Sequence, residues 1–94
     1  MINPVNVGDL VISIAGRDKG KIFLVIKSEN DKSLVVDGKT RKVNKPKIKN
    51  NKHLKKLLSA NLHELAERIK RGESVGNQRV YRTIKAEKEK LQED

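Results

Sequence analysis

The chain has no cysteine and no tryptophan among its 94 residues, and only one phenylalanine and one tyrosine. The absence of cysteine excludes disulfides, thiolate nucleophiles and zinc sites built on Cys ligands. The longest apolar run, IFLVI, has five residues, whereas a membrane-spanning helix needs about 20. The start of the chain does not resemble a signal peptide. We therefore expect a cytoplasmic protein without a membrane partner.

Acidic residues are scarce in the first part of the chain. Residues 1–58 carry 14 Lys and Arg against 5 Asp and Glu, whereas residues 59–94 carry 8 against 7, and the formal net charge is +10. The stretch GKTRKVNKPKIKNNKHLKK, residues 38–56, holds nine basic residues and no acid. Such a balance favours a polyanionic partner, nucleic acid first and an anionic membrane second. The run lacks the bulky apolar residues that insert into a membrane, which favours nucleic acid.

Residue patterns predict a β domain at the start of the chain. Alternation places Leu10, Ile12 and Ile14 on one face of a first strand, and KIFLVIKS is apolar on both faces, which is typical of a central strand. GRDKG is predicted as a loop, ENDK as a turn, and the Asp-Gly of DGK as a hairpin. Short strands of this kind close a core by curling into a small barrel. The strands are predicted at residues 7–15, 21–28, 33–36 and 40–43.

After Val43 the pattern changes from strands to a basic arm and then to helices. The arm contains Pro46 and alternating lysines, and we expect it to be extended and without a core of its own. A first helix is predicted to be capped by Asn61 and to end at Gly72. The predicted organisation of the chain is therefore a barrel at residues 1–45, a basic arm at 46–58 and a helical segment at 59–94.

A second helix is predicted to follow, capped by Asn77. Its apolar spacing turns Val80, Tyr81 and Ile84 toward the core. In this reading the single tyrosine is a packing residue and not a platform for bases.

Catalysis finds little support in the sequence. The two histidines, His53 and His63, are ten residues apart and lack the paired spacing of metal ligands. GRDKGK lacks the spacing of a phosphate-binding loop and leads into a strand, not a helix. We expect neither an enzyme nor a cofactor.

The basic residues are predicted to form one surface for phosphate groups. The loop with Arg17, Lys19 and Lys21 can lie at the same end of a compact meander as the exit of the fourth strand. Within the run, lysine outnumbers arginine eight to one, which suits phosphate contact more than base readout. Few aromatic side chains are available for stacking bases. The backbone and shape of a structured nucleic acid are therefore the expected ligand.

The stretch VGDLVISIAGRDKGKIFLVI resembles the KOW motif in Gly8-Asp9, Gly16, Lys19-Gly20-Lys21 and Val25. Residues 7–58 as a whole, including DGKTRKVNKPKIKNNKHLK, are similar to small bacterial KOW-domain RNA-binding proteins related to a large-subunit ribosomal protein of archaea and eukaryotes. The resemblance implies an SH3-like β-barrel and RNA as ligand, most often ribosomal RNA. It also implies loop contacts at Arg17, Lys19, Gly20 and Lys21.

A ribosome-associated or ribosome-assembly protein is the resulting hypothesis, with ribosomal proteins as further partners of the C-terminal helices. Two alternatives share parts of the pattern: a KOW-type protein-interaction module associated with transcription or translation machinery, and a DNA-compacting protein. The candidate RNA-binding residues are Arg17, Lys19, Gly20, Lys21, Lys39, Arg41, Lys42, Lys45, Lys47, Lys49, Lys52, Lys55 and Lys56.

Overall fold

The fold is an antiparallel sheet of five strands followed by two helices. The computed structural model describes residues 5–57 and 62–92, with the backbone alone for residues 91 and 92. This confirms the prediction of a β domain with helices after it. The elements are β1 (Leu10–Ser13), β2 (Ile22–Glu29), β3 (Lys32–Val36), β4 (Lys47–Asn50), a 3-10 turn (Asn51–His53), β5 (Leu54–Lys56), α1 (His63–Lys70) and α2 (Asn77–Gln92).

The central strand is β2, as its apolar residues on both faces predicted. The order across the sheet is β4-β3-β2-β1-β5. β2 and β3 form a hairpin in which Glu29 pairs with Lys32, so Asn30 and Asp31 make a two-residue turn. Asn30 adopts a φ of 58°, a left-handed conformation that asparagine tolerates better than most residues. The predicted turn is therefore confirmed.

Each face of β2 is buried against a different part of the chain. Because side chains alternate along a strand, Phe23 and Val25 lie on one face, and Leu24 and Ile26 lie on the other. On the inner, concave face of the curled sheet, Phe23 packs in a cluster with Val5, Val11, Val25, Val35 and Leu54. The opposite face packs against the helices in a cluster of Leu10, Leu24, Ile26, Val36, Ala66, Ile69, Val75, Val80 and Ile84.

The sheet is strongly curled but not closed. β4 and β5 lie at opposite edges, although only the three residues of the 3-10 turn separate them. Five flat strands span about 19 Å, and three residues of 3-10 helix rise only about 6 Å, so the edges must bend toward each other. A bulge between Val25 and Lys27 in β2 contributes to the bend. In the described part of the chain no ladder joins β4 to β5, so a closed barrel is not confirmed.

The predicted fourth strand at residues 40–43 is wrong. The Asp37 carboxylate accepts hydrogen bonds from the backbone N–H groups of Lys39, Thr40 and Arg41 at 2.7–2.9 Å. Donors used in this way are no longer available to a ladder. The edge of β3 pairs instead with β4, at Lys47–Asn50. The segment predicted as an extended basic arm thus contains β4, the 3-10 turn and β5, and it belongs to the sheet.

Two predictions, one in β1 and one in α2, also need correction. Val11 and Ser13 are buried, because the face of β1 that carries Val11 packs in the cluster with Phe23. Ile14 lies beyond the end of β1 and is 48% exposed. Tyr81 is 39% exposed and is therefore not a core residue. The residue that was predicted to cap α1, Asn61, lies outside the described residues.

The start of α2 is fixed by a contact with the loop before β4. Asn77 is the first residue of α2, and the Gly76 carbonyl accepts the hydrogen bond from the Val80 N–H. The Asn77 Oδ1 accepts instead from the Val43 N–H at 2.8 Å. Asn77 therefore holds the loop before β4 against the helix and does not serve as the predicted cap.

Candidate nucleic-acid interface

Three basic residues from separate segments converge on one buried carboxylate, that of Asp18. The side chain of Asp18 is only 6% exposed, and Arg41 Nη2 approaches Asp18 Oδ2 to 3.1 Å. Lys49 Nζ lies 3.6 Å from Asp18 Oδ2, and Lys21 Nζ lies 3.7 Å from Asp18 Oδ1. We call Asp18, Lys21, Arg41 and Lys49 the Asp18 cluster. It joins the β1–β2 loop, the loop after β3 and strand β4.

The loop between β1 and β2 turns Asp18 inward by means of its backbone. Gly16 and Gly20 have φ values of 78° and 90°, which glycine adopts without steric cost. The Gly20 N–H donates to the Ser13 carbonyl at 2.8 Å, and the Lys21 N–H donates to the Asp18 carbonyl at 2.9 Å. Asp18 is buried, whereas Arg17 and Lys19 on either side of it are exposed. The same turn thus presents two cations to solvent.

The neighbouring cations keep Asp18 ionised in spite of its burial. Desolvation by burial raises the pKa of Asp18. The hydrogen bond from Arg41 and the positive charges of Arg41, Lys49 and Lys21 lower it by more, so the pKa lies below the ordinary value. One negative charge faces three positive charges, and the cluster keeps a surplus of two. The carboxylate of Asp18 therefore offsets part of the repulsion among these three cations.

Strand β4 places its lysines toward the inside of the curl. Lys47 pairs with Val35, and Lys49 pairs with Ser33. Directly opposed residues share a face, so both lysines lie on the same face as Val35 and the inner core. Lys49 is only 11% exposed in its side chain, whereas Ile48, on the outer face, is 62% exposed.

The structure brings part of the predicted site together. Lys21, Arg41 and Lys49 meet at Asp18, while Gly20 lies in the turn beside them. Within residues 5–57 and 62–92, eight of the predicted cations are exposed and have no ion pair. They lie in loops, in the 3-10 turn or on edge strands, and they are Arg17, Lys19, Lys39, Lys42, Lys45, Lys47, Lys52 and Lys55.

The remaining predicted residues have other partners or lie apart. Lys56 pairs with Asp9 at 3.6 Å. Lys39 lies above the Tyr81 ring, with its Nζ 5.7 Å from the ring centroid. Among the described residues, no hydrogen bond or ion pair joins Lys52 or Lys55 to the Asp18 cluster. These two belong to the 3-10 turn and to β5.

Sequence reasoning missed two parts of the basic surface. Asp18 is not among the residues predicted from the sequence, and its only local signal is its position between Arg17 and Lys19. α2 adds Lys85 and Lys88, which together with Tyr81 and Lys21 line a cavity of about 690 Å³. The spacing of residues 81, 85 and 88 places them on one helix face, a signal that could have been recognised.

The described residues contain neither a cluster of metal ligands nor a membrane-spanning helix. In residues 5–57 and 62–92, no three His, Asp or Glu side chains are placed to hold a metal ion. Neither of the two described helices is both long and apolar enough to cross a membrane.

No protein-family model matches this sequence, and a comparison with curated proteins likewise found no match.

Proposed function

We propose that this chain is an RNA-binding protein that contacts the phosphate backbone of a structured RNA. The proposal includes a curled sheet of the SH3-like, KOW type and a role in association with the ribosome or its assembly, with ribosomal RNA as the ligand. The chain acts by binding and not by catalysis. The observation that carries the proposal is the convergence of three basic segments on Asp18.

The charge of this surface supports a polyanion as ligand. The β1–β2 loop and the segment from Asp37 to Asn50 together hold nine Lys and Arg against two Asp. Both acids already have partners: Asp18 pairs with the cluster, and Asp37 accepts hydrogen bonds within its own turn. The exposed lysines nearby are thus available to phosphates. Their flexible point charges suit backbone contact, which positions a nucleic acid without reading its sequence.

The salt dependence of binding to an RNA hairpin tests this proposal. If 6 to 9 phosphates are neutralised, log affinity should fall against log salt with a slope of about −4 to −8. A triple variant of Lys42, Lys45 and Lys47 to Ala should weaken binding and reduce the slope by about 2 to 3. All three side chains are exposed and have no ion pair in the described part of the chain, so the fold should survive.

A control variant removes the same charge elsewhere. Lys27, Lys32 and Lys70 are also exposed and also lack ion pairs among the described residues. Changing these three to Ala should leave the slope nearly unchanged. A slope near −1 for the unmodified protein, or equal losses in both triple variants, would contradict the proposed interface.

The protein-interaction alternative is favoured by one observation, the exposure of Ile48. Its side chain lies on the outer face of edge strand β4 and is 62% exposed. If this face binds a protein, Ile48→Ser should abolish complexes that survive nuclease treatment of a cell lysate and leave RNA binding intact. Crosslinking in cells followed by sequencing of the attached RNA would identify the RNA and the site together.

A further inference from the structure

A groove separates α2 from the two loops that carry the basic surface. Its volume is about 690 Å³, which lies within the range of roughly 300–1,000 Å³ typical of ligand clefts. One wall is α2, and the other consists of the end of the β1–β2 loop and the turn after β3. The residues that matter for its chemistry are Tyr81, Lys85 and Lys88 from α2, with Lys21 and Lys39 from the loops.

Tyr81 gives the groove an accessible aromatic ring. It is 39% exposed, although its neighbour Val80 is fully buried and fixes this turn of the helix against the sheet. The backbone beneath the ring is also fixed, because the turn at Gly38 packs directly on Asn77 and Tyr81. The ring therefore stands on a rigid part of α2 at the edge of the groove.

The groove carries more positive than negative charge. Four lysines line it, against the carboxylates of Asp37 and Glu89. Asp37 already accepts three backbone hydrogen bonds and one from the Thr40 hydroxyl. Lys85 and Lys88 are exposed and have no ion pair with any residue that the structure describes. They lie along the same face of α2 as Tyr81, one and two turns further on.

An aromatic ring beside unpaired ammonium groups matches the two ends of a nucleotide. A base stacks on an aromatic face, and its phosphate pairs with lysines. Lys39 now lies over the ring, with its Nζ 5.7 Å from the centroid. At an exposed site this cation–π contact is weaker than base stacking, so a base can displace Lys39 and leave it free to contact a phosphate.

We infer that this groove receives one unpaired nucleotide of a bound RNA, with its base on Tyr81 and its phosphates on Lys85 and Lys88. The inference rests on the proposed RNA-binding function and goes beyond it by identifying a subsite. Lys21 belongs to both the groove and the Asp18 cluster, so the same RNA can contact the basic surface and the groove. A bulge or loop in an otherwise paired RNA supplies such a nucleotide.

The single tyrosine makes the test specific. Because the chain has one tyrosine and no tryptophan, tyrosine fluorescence reports on this groove alone. Two RNA hairpins would be titrated, one fully paired and one with a single bulged uridine. We expect the bulged hairpin to quench the fluorescence more strongly, with the paired hairpin correcting for absorption by RNA. Equal quenching by both would overturn the inference.

Variants at Tyr81 separate stacking from charge. Tyr81→Ala should weaken binding of the bulged hairpin by about 5- to 100-fold and change binding of the paired hairpin by less than about twofold. Tyr81→Phe keeps the ring and should retain the preference, and thermal unfolding of both variants checks the fold. If Tyr81→Phe lost the preference as completely as Tyr81→Ala, or if Tyr81→Ala kept it, stacking would be refuted.

Lysine variants test the other end of the nucleotide. Lys85→Ala with Lys88→Ala should reduce the preference for the bulged hairpin, whereas Lys27→Ala with Lys70→Ala, an equal change of charge, should not. Equal effects of the two pairs would refute the subsite.

Binding of adenosine monophosphate without RNA tests whether the groove is instead a site for free nucleotides. Micromolar binding of this nucleotide would overturn the assignment to a nucleotide within RNA. If the protein bound both hairpins without preference, only this inference would fail; if it bound neither, the proposed function would fail too.

Discussion

Replacement of Asp18 by asparagine should separate the two roles of the Asp18 cluster, holding the fold and presenting charge. The amide keeps the size of the side chain but removes the negative charge. Arg41, Lys49 and Lys21, at 3.1, 3.6 and 3.7 Å from the carboxylate oxygens, would then repel one another without compensation. We expect the free energy of unfolding to fall while the net charge of the surface rises.

The expected loss is about 2–4 kcal/mol. A hydrogen bond between charged groups contributes about 1.5–3 kcal/mol, and ion pairs of partly exposed lysines contribute roughly 0.2–1 kcal/mol each. The partial exposure of the Lys21 and Arg41 side chains, at 44% and 31%, screens these interactions, so the loss should not exceed the roughly 3–5 kcal/mol of a fully buried pair that is broken. In a domain of this size the midpoint of thermal unfolding should fall by on the order of 10–25 °C.

The pH dependence gives the same experiment a second readout. Because the pKa of Asp18 is lowered in the folded state, its contribution is fully present above the unfolded pKa, about 3.9. It is lost as the pH falls through the folded pKa. The difference in stability between the unmodified protein and Asp18→Asn should therefore be constant near neutrality and shrink below pH ~4.

The matched control is Asp31→Asn, which makes the same chemical change at an exposed residue without an ion pair in the described part of the chain. Its effect should stay within about 0.5 kcal/mol. Urea unfolding at several pH values measures both variants. If Asp18→Asn were no less stable than Asp31→Asn, or if their difference did not depend on acid, the cluster would not be what joins the three segments.

Two further predictions concern the contact between α2 and the loop after β3. Gly38→Ala should cost about 3 kcal/mol or more, because a Cβ there overlaps the Asn77 carbonyl oxygen, whereas Gly16→Ala, at an almost identical φ of 78° but with open space around it, should cost only about 1–2 kcal/mol. Equal losses in urea unfolding would show that backbone conformation alone matters. Asn77→Ala should cost about 1–2 kcal/mol because it leaves the Val43 N–H without its acceptor. Asn44→Ala, at an exposed residue of the same loop, should be nearly neutral, and a similar loss in both would contradict the assigned role of that bond.

Local patterns predicted those elements whose formation depends on nearby residues. The two apolar faces of β2 identified the central strand, and the polar residues around Asn30 identified its hairpin. The apolar spacing of α2 identified a helix, and Gly72, which was predicted to end α1, has a φ of 80° and lies just beyond that helix. In each case the decisive interactions lie within a few positions of one another.

Pairing between distant segments was not predictable in this way. Residues 47–50 occupy the edge of β3 because the Asp37 side chain binds the donors that a strand at 40–43 would have used. The partners of Asp18 come from positions 23 and 31 residues further along the chain, so its burial could not be inferred from its loop. The exposure of Tyr81 depends on where the turn at Gly38 packs, which is again a long-range contact.

The two-sided burial of β2 has a consequence for how the protein can be divided and made. The cluster that buries Leu24 and Ile26 includes five residues after position 62, and β1 gains its second neighbour only when Leu54–Lys56 are in place. In a fragment that stops before the helices, the apolar face of β2 that carries Leu24 and Ile26 would be left in contact with water. During synthesis from the N-terminus the nascent sheet must therefore wait for the last third of the polypeptide before its hydrophobic layer is complete.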